Sequence, residues 1–288
     1  MPETYGAHEC RAYFVVEQTY GETPSNPSML GINTENLEPV IEQGLIKVRG
    51  IGSRDLQSLA TGLRQVRLKI PSALSSESPI SLIQHVQTLN SLSIEVLYYK
   101  GLFSNPTDVI SLLFKGCRID RVDVECSVDD IIRSSIECIG QNMVVGTAKI
   151  GGSYGDFSGA VPYSEGIVKR GQPNGSDLQE ITRVVEWKWS INNNLKPVPV
   201  LRSTTPYLLK YLPPRHRELS GELTFEFETT QEFQDVLDDA EFSLWFGLGG
   251  SYSALFKYCK WEEVSAPTKI EDLVYVKAKF AARDVLIS

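Results

Sequence analysis

The sequence predicts a mainly β protein of the α+β type, an antiparallel β-sandwich or barrel with one or two short helices, a long extended arm and two similar halves. Segments that alternate apolar and polar residues occur in both halves of the 288-residue chain. Helical spacing is confined to two short segments, and glycine-rich connections separate the elements. The composition, 42% apolar and 22% charged, is that of a globular protein long enough to bury a large core.

Two consecutive segments in the first half, 117–126 and 131–140, alternate in this way. Matching their apolar faces places Arg121 opposite Glu137 and Glu125 opposite Arg133, so two pairs of opposite charge support one antiparallel register. One face of this predicted hairpin carries the charged side chains, namely Arg121, Asp123, Glu125, Arg133 and Glu137.

The second half contains two more strands of the same kind, near 185–191 and 219–228. Their polar side carries Glu186, Lys188, Glu222, Glu226 and Glu228, and their apolar side includes Leu219, Leu223, Phe225 and Phe227. Trp187 and Trp189 fall on the apolar side, which favours a place in the core over an exposed platform for sugars or bases.

Short amphipathic helices are predicted at 79–90 and after Thr229, the second with Phe233, Val236 and Leu237 on its apolar side. Each half therefore offers two amphipathic strands and one helix, in a different local order. The halves span about 1–145 and 176–288, and residues 142–180, which contain eight glycines, are predicted to link them.

Residues 38–70 are predicted to form an extended hairpin arm. Apolar runs in this segment alternate with glycines, and its charge is mostly basic in a chain that is otherwise acidic. An arm that packs poorly on its own core usually packs on another molecule, so we expect it to contact neighbouring subunits. The basic residues of the arm are Lys47, Arg49, Arg54, Arg64, Arg67 and Lys69.

No pattern of catalytic or cofactor-binding residues was found. His8, His85 and His216 lie in unrelated contexts, the five cysteines have no metal-ligand spacing, and Gly151-Gly152 begins no phosphate loop. We therefore predict no enzyme, no cofactor and no metal. The net charge of −8 disfavours tight binding of nucleic acid, and the absence of a long apolar run predicts a soluble chain without a membrane segment.

Two stretches resemble the major tail tube proteins of tailed bacterial viruses. The run from Gly116-Cys117-Arg118-Ile119-Asp120 to Glu137-Cys138-Ile139-Gly140 is similar to the first half of that family. The run 185–195, which ends in an Asn-Asn-Leu turn, and the later strand 219–227 resemble its second half. The resemblance covers about residues 10–285, and the arm at 38–70 departs from it in detail.

The resemblance implies a single tail-tube domain over 1–288, with six copies in a ring, rings stacked into a tube, and about 24 strands in an inner barrel, four from each subunit. The amphipathic strands would supply those four, so their ten charged residues would face the lumen: Arg121, Asp123, Glu125, Arg133, Glu137, Glu186, Lys188, Glu222, Glu226 and Glu228. Seven of these are acidic and three are basic, a balance that suits a conduit through which genomic DNA slides without tight binding.

The resemblance further implies the partners and the location. The chain would assemble with itself and with other tail proteins, including a tape measure, a tail terminator, a baseplate or tip, and in some tails a sheath. It would be assembled in the host cytoplasm and reside in the tail of the virion. The alternatives are a tube subunit of a contractile injection or secretion machine and a β-sandwich module that binds a ligand.

Overall fold

The computed structural model describes residues 4–74, 77–157, 159–268 and 273–288. Seventeen strands and two α-helices lie in this part of the chain, which confirms the predicted mainly β fold. Two short 3-10 helices, at Ala7–Glu9 and Tyr163–Glu165, lie in the connections.

The elements fall into two repeats, of which the first covers residues 10–154 and the second residues 168–287. The first repeat contains one helix, α1 (Glu77–Thr88). Its strands are β1 (Cys10–Val16), β2 (Ser28–Ile32), β3 (Glu38–Val48), β4 (Ser58–Leu74), β5 (Leu92–Leu102), β6 (Asn105–Ser127), β7 (Arg133–Gly140) and β8 (Asn142–Gly146). The two-residue strand β9 (Ser153–Tyr154) follows and pairs with β2 in parallel.

The second repeat likewise contains one helix, α2 (Gln231–Leu237). Its strands are β10 (Val168–Gly171), β11 (Gln179–Glu180), β12 (Val184–Asn192), β13 (Glu218–Glu226), β14 (Phe242–Gly247), β15 (Ser253–Ser265), β16 (Tyr275–Ala281) and β17 (Asp284–Ile287). The segment 142–180, predicted as a plain linker, therefore contains four short strands.

One eight-stranded antiparallel sheet runs through both repeats, in the order β3-β4-β7-β6-β12-β13-β16-β15. The first four strands and the last four follow the same sequence of connections. The prediction of a different local order in each half is therefore wrong. The two halves meet where β6 pairs with β12. We call this the central sheet.

Each repeat adds a smaller sheet behind the central sheet. In the first repeat it has the order β2-β1-β5-β6-β8, and in the second β11-β10-β14-β15-β17. The long strands β6 and β15 belong to both layers, and each passes from one to the other at a residue of positive φ, Gly116 (62°) and Tyr258 (53°). The core lies between the layers.

The apolar side of the central sheet is buried, as its alternation predicts. Trp187 and Trp189 are 2% and 1% exposed and contact Phe246 and Phe256, so their predicted place in the core is confirmed. Phe227 is an exception, because β13 ends at Glu226 and the Phe227 side chain is exposed.

Helix α1 packs as expected, with Leu82, Ile83 and Val86 buried. The predicted apolar face of α2 is wrong for Val236 and Leu237, which are exposed, although Phe233 packs against the core. Helix α2 instead buries Glu232 and Asp235. The two carboxylates point inward because each forms an ion pair with an arginine, Asp235 with Arg170 and Glu232 with Arg183.

Candidate functional site: a charged sheet face and a projecting arm

The hairpin of β6 and β7 has the predicted register. Arg121 lies opposite Glu137, and Glu125 lies opposite Arg133, with one β-bulge near Ile119. Residues directly opposite each other share a face of the sheet, so these four side chains lie together on the side that faces away from the core. The cross-strand order predicted from charge and period is confirmed.

A single row of alternating charge crosses six strands of this face. Successive strands place Glu125 opposite Lys188, Lys188 opposite Glu222 and Glu222 opposite Lys279. Arg133 begins the row and Glu263 ends it, so the order is Arg133, Glu125, Lys188, Glu222, Lys279, Glu263. Each pair of opposite charge across neighbouring strands stabilises the sheet by roughly 0.2–1 kcal/mol.

Several cations on this face lie close to carboxylates. The closest contacts include Lys188 Nζ to Glu222 Oε2 at 3.3 Å, Lys279 Nζ to Glu263 Oε2 at 2.6 Å and Arg121 Nε to Asp123 Oδ2 at 2.8 Å. Arg133 Nη1 is 2.5 Å from Asp130 Oδ1, a partner outside the predicted set. The hydrogen bond to Glu263 raises the pKa of Lys279, so this amine keeps its proton at neutral pH.

The charged face is broader than predicted. Lys69 on β4 lies opposite Glu137, with their charged atoms 3.4 Å apart, and Lys277 and Lys279 on β16 lie opposite Thr224 and Glu222. None of these three lysines was predicted to lie on the face, although the alternation of β16 from Tyr275 to Ala281, which places Lys277 and Lys279, is visible in the sequence. Their presence makes the charge of the face more evenly balanced than the ten predicted residues suggested.

Glu228 does not belong to this face. Strand β13 ends at Glu226, and Glu228 lies in the turn before α2, where its amide donates to the Glu226 carbonyl. The predicted alternation was continued two residues beyond the strand. The other nine predicted residues lie on strands of the central sheet.

The projecting arm is a two-stranded hairpin. Strands β3 and β4 pair from Glu38 opposite Lys69 to Val48 opposite Ser58, with a bulge at Gly44. Its outer part, 41–62, is largely exposed, including a series of large apolar side chains: Ile41, Leu45, Ile46, Val48, Ile51, Leu56 and Leu59. Exposed apolar residues in such a cluster are typical of a surface that binds another molecule.

The arm ends earlier than predicted. Val66, Leu68 and Ile70 are buried, and this part of β4 pairs with β7, so the base of the predicted arm belongs to the body. Arg67 and Lys69 therefore lie on the central sheet. Lys47, Arg49 and Arg54 lie in the exposed part of the hairpin.

Arg64 lies between these two parts of the hairpin. Its amide donates to the Tyr207 carbonyl at 2.9 Å, and its guanidinium lies over the Tyr207 ring.

Reactive groups are scattered or buried. Four cysteines are buried, and burial raises the pKa of Cys126 to about 11 and that of Cys138 and Cys259 to about 12. Burial lowers the pKa of His85, while His8 and His216 are exposed. Within the described residues, no group of three possible ligands could hold a metal ion, and no helix is long and apolar enough to cross a membrane.

The protein is a β protein in which one continuous sheet has a buried face and a charged face and is extended by an exposed hairpin. The sequence model of the family described as phage tail tube protein matches residues 8–282. The chain belongs to the phage tail tube protein family, and it is a structural tail tube protein of bacteriophage type.

Several chains of solved structures match as well, and one of them is titled as the virion of a native gene transfer agent (GTA) particle. The two chains are 11% identical with a TM-score of 0.37, and the match covers 45% of this chain and 99% of the other. No curated protein matches the sequence.

Proposed function

We propose that this chain forms the wall of a viral tail tube, in which rings stack and the charged face of the central sheet lines a channel for genomic DNA. The observation that carries the proposal is the sorting of one eight-stranded sheet into a buried face and a charged face. A channel wall requires this arrangement, because one side meets water and the other meets protein.

The charge pattern supports passage of DNA over binding of DNA. A phosphate backbone is held by cations that are free to neutralise it, and each such contact slows movement along the channel. On this face Lys69, Arg121, Arg133, Lys188 and Lys279 each lie within 3.5 Å of a carboxylate. Their charge is already balanced, and the chain as a whole carries a net charge of −8.

The exposed arm supports self-association. Its outer part contributes little to the core of its own chain and displays apolar side chains beside basic ones. Contacts with a tape measure, a terminator and a tip or baseplate would complete the tail, and assembly in the host cytoplasm is part of the same proposal.

A tube that passes protein in an injection machine remains the second candidate, since a wall of the same kind would serve both cargoes. A ligand-binding β-sandwich is disfavoured, because Trp187 and Trp189, the strongest candidates for a binding platform, are buried.

Electron microscopy of the purified protein at rising concentration tests the proposal. We expect rings or hollow tubes. Dispersed compact monomers at every concentration would contradict the tube function. Tubes that fail to protect or conduct DNA in reconstituted particles would favour the injection machine.

A further inference from the structure

The two repeats are equivalent residue by residue. In β6 and β7, Arg118 lies opposite Ile139 and Ile119 opposite Cys138, and a bulge follows. In β15 and β16, Lys260 lies opposite Ala281 and Trp261 opposite Phe280, with a bulge at the same step. The outer layers agree as well, because Leu92 opposite Cys117 in one repeat corresponds to Phe242 opposite Cys259 in the other.

The same comparison aligns β3 with β12. Ile41 lies opposite Val66, which lies opposite Gly140. Ile191 lies opposite Leu219, whose carbonyl accepts a hydrogen bond from the Ala282 amide. Since Gly140 and Ala282 are equivalent, Ile41 in the first repeat corresponds to Ile191 in the second.

Within the chain, the two repeats are joined in a defined way. Strand β6 of the first pairs with β12 of the second, with Val122 opposite Ile191 and Asp123 opposite Ser190. The loop after β12 then covers the first repeat. The Asn193 side-chain amide donates to the carbonyls of Val86 in α1 and Ile119 in β6, at 2.9 and 3.1 Å.

The surfaces that correspond to this junction are open at the two ends of the central sheet. In the described residues, β3 pairs with β4 alone, and the Lys260–Ser265 part of β15 pairs with β16 alone. Strand β3 is the counterpart of β12, and β15 is the counterpart of β6. Each end of the sheet therefore presents one half of the junction that the chain already makes internally.

Burial differs between the two sets of equivalent residues. Ile191 is 0% exposed at the junction and Ile41 is 46% exposed at the free edge. Leu195 and Leu45, each four residues further on, are 5% and 56% exposed. Open edges and exposed apolar side chains of this kind are usually covered in the assembled protein.

The helices show the same difference. Val86 and Val236 each lie three residues before a residue of positive φ that follows the helix, Leu89 and Asp239, so they correspond. Val86 is 0% exposed and lies under the loop from the second repeat, whereas Val236 is 45% exposed. The exposed apolar side of α2, which contradicted the amphipathic prediction, is thus the counterpart of a surface that the junction covers in the first repeat.

We infer that β15 of one chain pairs with β3 of a second copy, and that the arm of that copy covers α2, reproducing the β6–β12 junction between chains. Each chain then supplies two four-stranded units to a ring, namely β3-β4-β7-β6 and β12-β13-β16-β15. The number of chains in the ring is half the number of units. A ring with six such units holds three chains, in place of the six copies that the family resemblance implied. This inference rests on the proposed tube function.

The internal register fixes the register between chains. Since Val122 lies opposite Ile191, Val264 of one chain should lie opposite Ile41 of the next. Ser265 should likewise lie opposite Val40. Directly opposed residues in an antiparallel pair have α-carbons about 4.5–5.5 Å apart, a distance that a disulfide spans.

Paired cysteines in the full-length chain test this register. We expect tubes of the Val40→Cys/Ser265→Cys variant to give covalently linked chains on mild oxidation, ending in closed rings, and reduction should return single chains. Ile41→Cys/Val264→Cys is the second opposed pair and should behave in the same way. Ile41→Cys/Glu263→Cys is the matched control, shifted by one residue so that the side chains point to opposite faces.

The possible outcomes distinguish failure of the proposed pairing between chains from failure of the proposed tube function. Tubes in which neither opposed pair forms a disulfide, or in which the shifted pair reacts equally well, overturn the inference and leave the tube function in place. Covalent rings of six chains, which would contain twelve four-stranded units, also overturn it. Failure of the unsubstituted chain to form any tube overturns both.

Discussion

Leu45 and Leu195 each lie four residues beyond an equivalent pair, Ile41 and Ile191, yet Leu45 is 56% exposed and Leu195 is 5% exposed. Leu195 is buried because its amide binds the Asp120 carboxylate at 2.7 Å and its loop lies against the first repeat. Leu45 lies on the arm, and the chain provides no such surface for it. The arm is therefore the part of the molecule whose role is hardest to explain in a monomer.

Deletion of residues 44–64 should leave a folded monomer that does not polymerise. The deleted segment is largely exposed, so the free energy of unfolding should change little. Analytical ultracentrifugation and urea unfolding measure the two properties. Normal tubes from the deleted chain would show that the arm is not an assembly element.

A smaller change tests the same surface. Leu45→Ser should prevent assembly and leave the stability of the monomer within about 0.5 kcal/mol, as is usual for an exposed site. Leu195→Ser is the matched control, and it should destabilise the fold by about 2 kcal/mol or more because the side chain is buried. Equal losses of stability in both variants would contradict this account of the arm.

Reversal of charge on the central sheet should impede DNA. Changing Glu186, Glu222 and Glu226 to Lys adds six positive units per chain and removes the partner of Lys188, so the face should attract phosphates. Particles carrying this variant should have intact tails but deliver less DNA, and added salt should partly restore delivery through screening.

Glu228→Lys provides the control for charge alone. Glu228 lies in a turn beyond the sheet, so this change should leave delivery unaltered. Normal delivery by the triple variant at low salt would indicate that the charged face does not meet DNA.

Asp235 should stabilise the protein most above about pH 4. Burial alone would raise its pKa, but the hydrogen bonds from Arg170, at 2.6 Å, from Gln231 and from Trp261 outweigh burial and lower the pKa. A lowered pKa in the fold means that the stabilisation is present above the unfolded value of 3.8 and is lost as pH falls through the folded value.

Asp235→Asn should therefore lower the free energy of unfolding at pH 7 by about 3 kcal/mol, since it leaves Arg170 in a partly buried site without its carboxylate. The gap between this variant and the unsubstituted protein should narrow at pH 3. Urea titrations at both pH values measure the gap, and a gap independent of pH would contradict the assigned ion pair.

The buried cysteines should react only after unfolding. Burial raises the pKa of the Cys117, Cys126, Cys138 and Cys259 thiols, so little thiolate is present at pH 8 and reagents cannot reach it. Mass spectrometry after brief alkylation should find these four unmodified in the native chain and modified in urea. Rapid native labelling of Cys259 would place it outside the core.

The pairing of neighbouring strands could be predicted from the sequence. The register of β6 and β7 followed from the alternation and from the opposite charges of Glu125 and Arg133. The direction of α2 could not be predicted in this way, because Arg170 and Arg183, which hold Asp235 and Glu232 inward, come from distant parts of the chain. The apolar pattern alone favoured the opposite face.

The internal repeat is visible in the sequence as one short run that occurs twice. The run Leu113-Phe114-Lys115 precedes Cys117, and Leu255-Phe256-Lys257 precedes Cys259 at the same spacing. These runs mark the points where β6 and β15 pass between layers. Matching them would have predicted the common order of strands, although only the structure shows which residues remain uncovered.

An electron cryomicroscopy map of the assembled tube, at a resolution that shows side chains, tests the central claim most directly. We predict that the row from Arg133 through Lys188 to Glu263 lines the channel and that Trp187 and Trp189 face the outer layer. A channel lined by another surface, with this charged row on the outside of the tube or buried between rings, would contradict the account.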